Sequence, residues 1–176
     1  MKVQTKVRLA TVGVALGAVA VAALPASADT GTASIAGTGT ISPGLTQTGD
    51  PSNTFTFGGT GVAATTTEQD AITCTVSGND TIGSWSQGAG SFAGSCNGAT
   101  TGGASSVSGN YVRTGAVVTV SGTATATNAK GFSGSFNGGC AYGPTNVNVS
   151  GGGIPPLPVG ATARITAFGV TCVFTI

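Results

Sequence analysis

The segment Gly90-Ser91-Phe92-Ala93-Gly94-Ser95-Cys96 recurs as Gly134-Ser135-Phe136-Asn137-Gly138-Gly139-Cys140. Alternate residues of a strand share a face. Each copy therefore puts Gly, Phe, Gly and Cys on one side. A glycine between a phenylalanine and a cysteine leaves a gap for a bulky side chain from a facing strand, which offsets glycine's poor fit in a strand. The other two cysteines lie in segments of complementary bulk. Ile72, Cys74 and Val76 alternate with Thr73, Thr75 and Ser77, and Val170, Cys172, Phe174 and Ile176 alternate with Thr171, Val173 and Thr175. The pattern predicts a β core in which two glycine-type and two bulky-type strands are braced through cysteine.

The first residues stand apart from that core. Lys2, Lys6 and Arg8 precede an apolar run from Ala10 to Leu24, and Pro25 and Ala26-Ser27-Ala28 follow it. A basic start, a short apolar stretch and small residues at a cleavage site make a secretory signal peptide over residues 1–28. The run is shorter than the ~20 residues that cross a bilayer, so no membrane span is expected after cleavage. The domain then covers residues 29–176, exported to the medium or held at the cell surface.

Without the leader the basic side chains are Arg113, Lys130 and Arg164, against Asp29, Asp50, Glu68, Asp70 and Asp80. No basic patch exists, which excludes nucleic acid as a partner. The chain has 4 cysteines and no histidine. In an exported protein these read as two disulfides, and the absence of both a CxxC pair and histidine argues against a metal site. Pairing Cys74 with Cys96 and Cys140 with Cys172 joins a bulky strand to a glycine strand across a short loop. Crossed pairing of Cys74 with Cys140 and Cys96 with Cys172 obeys the same packing rule.

Along the rest of the chain, Ala33, Ile35 and Ile41 face inward against outward threonine and serine, and Phe55 and Phe57 do so against Thr54 and Thr56. Glycines 58, 59 and 61 are expected to weaken or bulge that second strand. Gly78-Asn79-Asp80 reads as a turn leading to a strand at Thr81–Gln87, and Ala99–Ser108 as a loop. Val118, Val120, Ala124 and Ala126 face inward after a hairpin at Thr114-Gly115-Ala116. A short strand at Asn146–Val149 precedes Ile154-Pro155-Pro156-Leu157-Pro158, which favours polyproline II. Apolar parity slips between Ile165 and Phe168, which predicts a bulge or break. No helical stripe is present. Eight to ten short strands with two disulfides predict an antiparallel immunoglobulin-like sandwich or a closed barrel.

Chemistry has few carriers. Without histidine or a free thiol, no Ser-His or Cys-His machine assembles. Glu68 and Asp70 could act as an acid and base pair or as calcium ligands, or be a solvated loop; Asp80 sits in a turn context. A hydrolase would need these carboxylates together in a cleft. The amphipathic rings Trp85, Tyr111 and Tyr142 are the candidate ligand-binding residues, for a glycan or a small apolar ligand. Trp85 is out of phase with Ile82 and points outward on a strand, or else fills a gap over a repeat glycine.

With its leader, its Gly/Thr/Ser-rich body, the opening Gly37-Thr38-Gly39-Thr40-Ile41-Ser42-Pro43-Gly44-Leu45 and its four cysteines, the chain resembles small secreted β proteins of actinobacteria, which have no assigned activity. In fold it also resembles neocarzinostatin-type apoproteins, exported sandwiches with two disulfides and a chromophore cleft. The expectation is a secreted, non-catalytic protein without cofactor that binds or builds. Its partners would be envelope glycan, a small apolar ligand or further copies of itself.

Overall fold

The computed structural model describes residues 30–65, 68–150 and 162–176. The leader at residues 1–28 and the proline-rich segment at 154–158 lie outside the described residues. Eight strands follow one another: β1 (Gly31–Leu45), β2 (Asn53–Thr65), β3 (Gln69–Asp80), β4 (Gln87–Gly98), β5 (Ala104–Thr114), β6 (Val117–Ala126), β7 (Gly134–Ser150) and β8 (Thr162–Thr175). Each pairs antiparallel with the next, and β8 returns to pair with β1, so the sheet closes into a barrel. The barrel is the architecture formed, and the immunoglobulin-like sandwich is not. One continuous ladder leaves no second sheet to face the first, and closure removes both edges.

The strands are long because the alternation runs through glycines read as interruptions. Gly58, Gly59 and Gly61 pair in register with both β1 and β3. Gly78 and Asp80 belong to β3 and make no turn, β5 begins at Ala104 inside the supposed loop, and Asn146–Val149 continues β7. In the other direction, residues 81–86 form no strand. The parity slip in β8 is a bulge: opposite β7 the register passes from Ala167 to Ile165, leaving Thr166 unmatched.

Most strand glycines take inward positions, and aromatic rings lie over several of them. A Cβ on Gly78 would stand 2.7 Å from the Phe55 ring, one on Gly109 2.9 Å from Phe92, and one on Gly122 2.6 Å from Phe136. Gly39 underlies Phe168 in the same way, and Gly138 underlies Phe174. The gaps in the repeated segment are filled as its pattern predicts, with Val76 Cγ1 2.8 Å from where a Gly94 Cβ would be. The bulky partner comes from the hydrogen-bonded neighbouring strand rather than from a facing sheet. Outward positions carry mainly Thr, Ser, Asn, Ala and Val.

The disulfides are Cys74–Cys96 and Cys140–Cys172, with Cα atoms 4.1 and 4.0 Å apart. Each joins residues directly opposed across adjacent strands, β3 with β4 and β7 with β8. They close intervals of 22 and 32 residues, for which the chain-entropy model gives about 3 to 4 kcal/mol each.

Replacing Gly122 by alanine tests the ring-on-glycine packing. The new methyl meets the Phe136 ring and the Ser108 carbonyl, and the expected loss is about 1 to 3 kcal/mol of unfolding free energy, read by denaturant titration. The same change at outward Gly58, where a Cβ meets nothing within 4 Å, should cost no stability.

Candidate functional site

One end of the barrel is plugged by two loops that zip together. The β1–β2 loop and residues 81–86 share a parallel bridge at Thr46 and Ser84. Thr46 N donates to Gly83 O (3.1 Å), Trp85 N to Thr46 O (2.9 Å) and Asp50 N to Ile82 O (3.1 Å). Gly83 adopts φ +61°, and a side chain there would collide with the Asp50 carbonyl, so the crossing needs glycine.

Buried polar residues at the strand ends hold the plug. Asn53, 1% exposed, accepts from Gly44 N and donates to Asp50 O, both at 2.7 Å. Asp80, 2% exposed, accepts at Oδ1 from the amides of Ile82 (2.9 Å) and Gly83 (2.7 Å). That is the local turn chemistry its context implies. Arg113, 3% exposed, donates from Nη1 to Trp85 O (2.8 Å) and Gly115 O (3.4 Å), and from Nη2 to Gln87 O (2.8 Å) and Ser84 O. A planar fork with several fixed donors is what such a set of carbonyls requires. At the surface Arg164 Nη1 meets Asp50 Oδ2 at 3.1 Å.

Beyond the plug the interior is a cavity of about 340 Å³. Eight strands enclose room for packed side chains or for one small ligand, and here inward glycines withhold the side chains that would fill it. Phe55, Phe57, Ile72, Val76, Phe92, Val107 and Val120 line the cavity yet are only half-buried. Their exposed area faces the lumen. A chain of rings, Tyr111, Phe55, Phe168 and Tyr142, lies against the plugged end, with successive centroids 5.5, 6.4 and 5.7 Å apart. At the opposite rim the lining includes Glu68, Asp70, Thr101 and Lys130.

The three predicted rings separate. Tyr111 and Tyr142 line the lumen. Trp85 belongs to the plug: it packs on the cluster of Ile41, Leu45, Ile165 and Phe168, and its Nε1 donates to Leu45 O at 3.0 Å. It is neither a strand residue nor a residue over a repeat glycine. Burial raises the Tyr111 phenol far above its ordinary value, reinforced by the negative charge of Asp80. Burial also raises Tyr142, against the opposing charge of Arg113. Both remain protonated at physiological pH.

The carboxylates separate as well. Asp70 and Asp80 end the same strand, about 33 Å apart at ~3.3 Å per residue. Asp70 is buried, not part of a solvated loop, and it orders the β4–β5 loop. Its Oδ2 accepts from the Thr101 hydroxyl (2.5 Å) and amide (3.1 Å), and Oδ1 from the Thr100 amide (2.8 Å). The Thr101 hydroxyl, followed by the Thr100 amide, pulls the carboxyl down to about 2 against an opposing effect of burial. Glu68 is exposed. Among the described residues no three His, Cys, Asp or Glu side chains converge on a point.

Arg113 and the inward phenylalanines went unread as site residues. Their signal was present, since Tyr111 and Arg113 share the inward parity of Val107 on β5. A charge at such a position needs a built polar environment. Compared with protein families, with curated proteins and with solved structures, the chain matches none of them.

Two outcomes follow for these polar anchors. Arg113→Met should cost about 3 to 5 kcal/mol, because several buried carbonyls lose their donor. Trp85 is the only tryptophan, so its emission should shift to the red as the plug loosens. For Asp70 the folded value lies below the ordinary 3.8, so its stabilisation is complete above that pH and is lost as pH falls towards about 2. The protection factors of the Thr100 and Thr101 amides, taken against the intrinsic exchange rate at each pH, should fall across that window, and in Asp70→Asn they should be low at all pH values.

Proposed function

We propose that this protein is a secreted, non-catalytic carrier that holds a small apolar molecule inside its barrel. The observation that carries the reading is the lumen. Its aromatic and aliphatic side chains point inward yet stay half-exposed around about 340 Å³, within the range of small-molecule sites. A barrel serving only as scaffold gains stability from filling its interior, whereas this one places glycine beneath its rings. Two disulfides between neighbouring strands suit an oxidising compartment outside the cell, in keeping with the leader-like first residues. The plug closes one end, so the ligand enters by the rim of Glu68, Thr101 and Lys130.

An uncharged fluorescent probe, phenylnaphthylamine, tests this directly. It should bind one per chain, gain emission on binding and survive as a complex in native mass spectrometry. Val107→Trp puts a large ring into the lumen opposite the small residues Gly94 and Ala124. It should weaken the probe at least about tenfold with unchanged far-ultraviolet circular dichroism, the loss that follows when the pocket volume is taken by protein. Probe affinity equal in the two proteins, or no uptake by the wild type, would rule out the lumen as a carrier site.

A further inference from the structure

Tyr142, one of the residues that line the lumen, carries a polar atom that the described residues leave unanswered. Tyr142 Oη is buried and, among the described residues, has no hydrogen-bond partner. Its ring is fixed on two counts. It stacks on Phe168 at 5.7 Å between centroids, and the Arg113 guanidinium carbon lies 4.7 Å from its own centroid. Buried hydroxyls without partners are uncommon in folded proteins.

Most of the neighbouring polar atoms are already committed. Both Nη atoms of Arg113 donate to carbonyls of the plug, and Asp80 Oδ1 accepts from plug amides. Tyr111 Oη donates to Asn79 O at 3.5 Å. The two buried charges also sit close together, because a Cβ on Gly88 would be 2.6 Å from Asp80 Oδ2 and 3.2 Å from Arg113 Nε. They oppose each other, and this end of the lumen presents no unbalanced charge. An ionic head group arriving there would lose its hydration and find one partner of each sign.

We infer that Tyr142 Oη is the head-group contact of the lumen and that the ligand is a neutral amphiphile, an apolar body with one terminal hydroxyl or carbonyl. The inference rests on the carrier reading above. It adds the polarity, charge and orientation of the ligand: head against Tyr142 at the plugged end, tail along Phe92, Val107 and Phe136 towards the open rim. A carboxylate or ammonium of equal chain length is disfavoured.

The test is displacement of phenylnaphthylamine at pH 8 by dodecanol, dodecanoate, dodecylammonium and chlorododecane, on the wild type and on Tyr142→Phe. In the wild type dodecanol should displace best, and chlorododecane, which lacks a hydrogen-bonding head, should be weaker by about tenfold. Tyr142→Phe should weaken dodecanol about tenfold and bring it level with chlorododecane, while the probe itself binds as before. Dodecanol binding equally to both proteins, or no better than chlorododecane in the wild type, overturns the role of Tyr142. A wild-type preference for dodecanoate or dodecylammonium overturns the neutral head group. The wild-type comparison stands even if the variant does not fold. Failure of the probe to enter the wild type is a different result and removes the carrier reading instead.

Discussion

Inside this barrel, a ring on one strand lies over a glycine on its hydrogen-bonded neighbour, and most other features depend on that contact. Phe55 over Gly78, Phe92 over Gly109, Phe136 over Gly122 and Phe174 over Gly138 recur around the sheet. Each pair fixes register, since a slip of one residue would turn the ring to the outside and put a threonine or serine in the core. The pairs also limit the filling of the interior. A ring that covers a glycine lies along the wall, where a ring over a larger residue would project towards the axis.

Closure and plugging address different problems. The closed ladder satisfies the backbone groups of the wall without edges. The two loops that cross the end leave both carbonyls and amides buried; Arg113 and Asn53 donate to the carbonyls and Asp80 and Asn53 accept from the amides, all from positions at the ends of their strands. Charge is thereby buried for an architectural reason, with enough hydrogen bonds to offset lost hydration. The same arrangement leaves the phenol of Tyr142 held against Arg113 without a hydrogen-bond partner among the described residues. Buried structural polarity thus gathers at one end of an apolar cavity, while the rim opposite bears the exposed Glu68 and Lys130.

Strand alternation was legible in the chain. Inward Ala33, Ile35, Ile41, Phe55, Phe57, Val118, Val120 and Ala124 follow from a two-residue period; that a bulky cysteine strand meets a glycine one follows too, but the choice between the direct and the crossed pairing needed the strand neighbours, β3 with β4 and β7 with β8. Strand ends were less legible. Glycine lowers strand propensity locally, so Gly58 to Gly61 and Gly78 looked like interruptions until a ring from elsewhere was seen to cover them. The reverse error occurred in the strand expected at Thr81–Gln87, whose residues 81–86 are drawn into the plug by the amides from which Asp80 accepts and the carbonyls that Arg113 gathers.

From the sequence by itself came an all-β chain, the facing of its residues and its poverty of catalytic groups, because these depend on side-chain type and period within single strands. The tertiary structure alone decided barrel over sandwich, since the pairing of β1 with β8 joins segments from opposite ends of the chain and leaves no local trace. It also decided that Trp85 closes the barrel while Tyr111 and Tyr142 line it. Whether inward side chains meet across the axis or stop short of it depends on the circumference of the closed sheet, a quantity that no stretch of sequence carries.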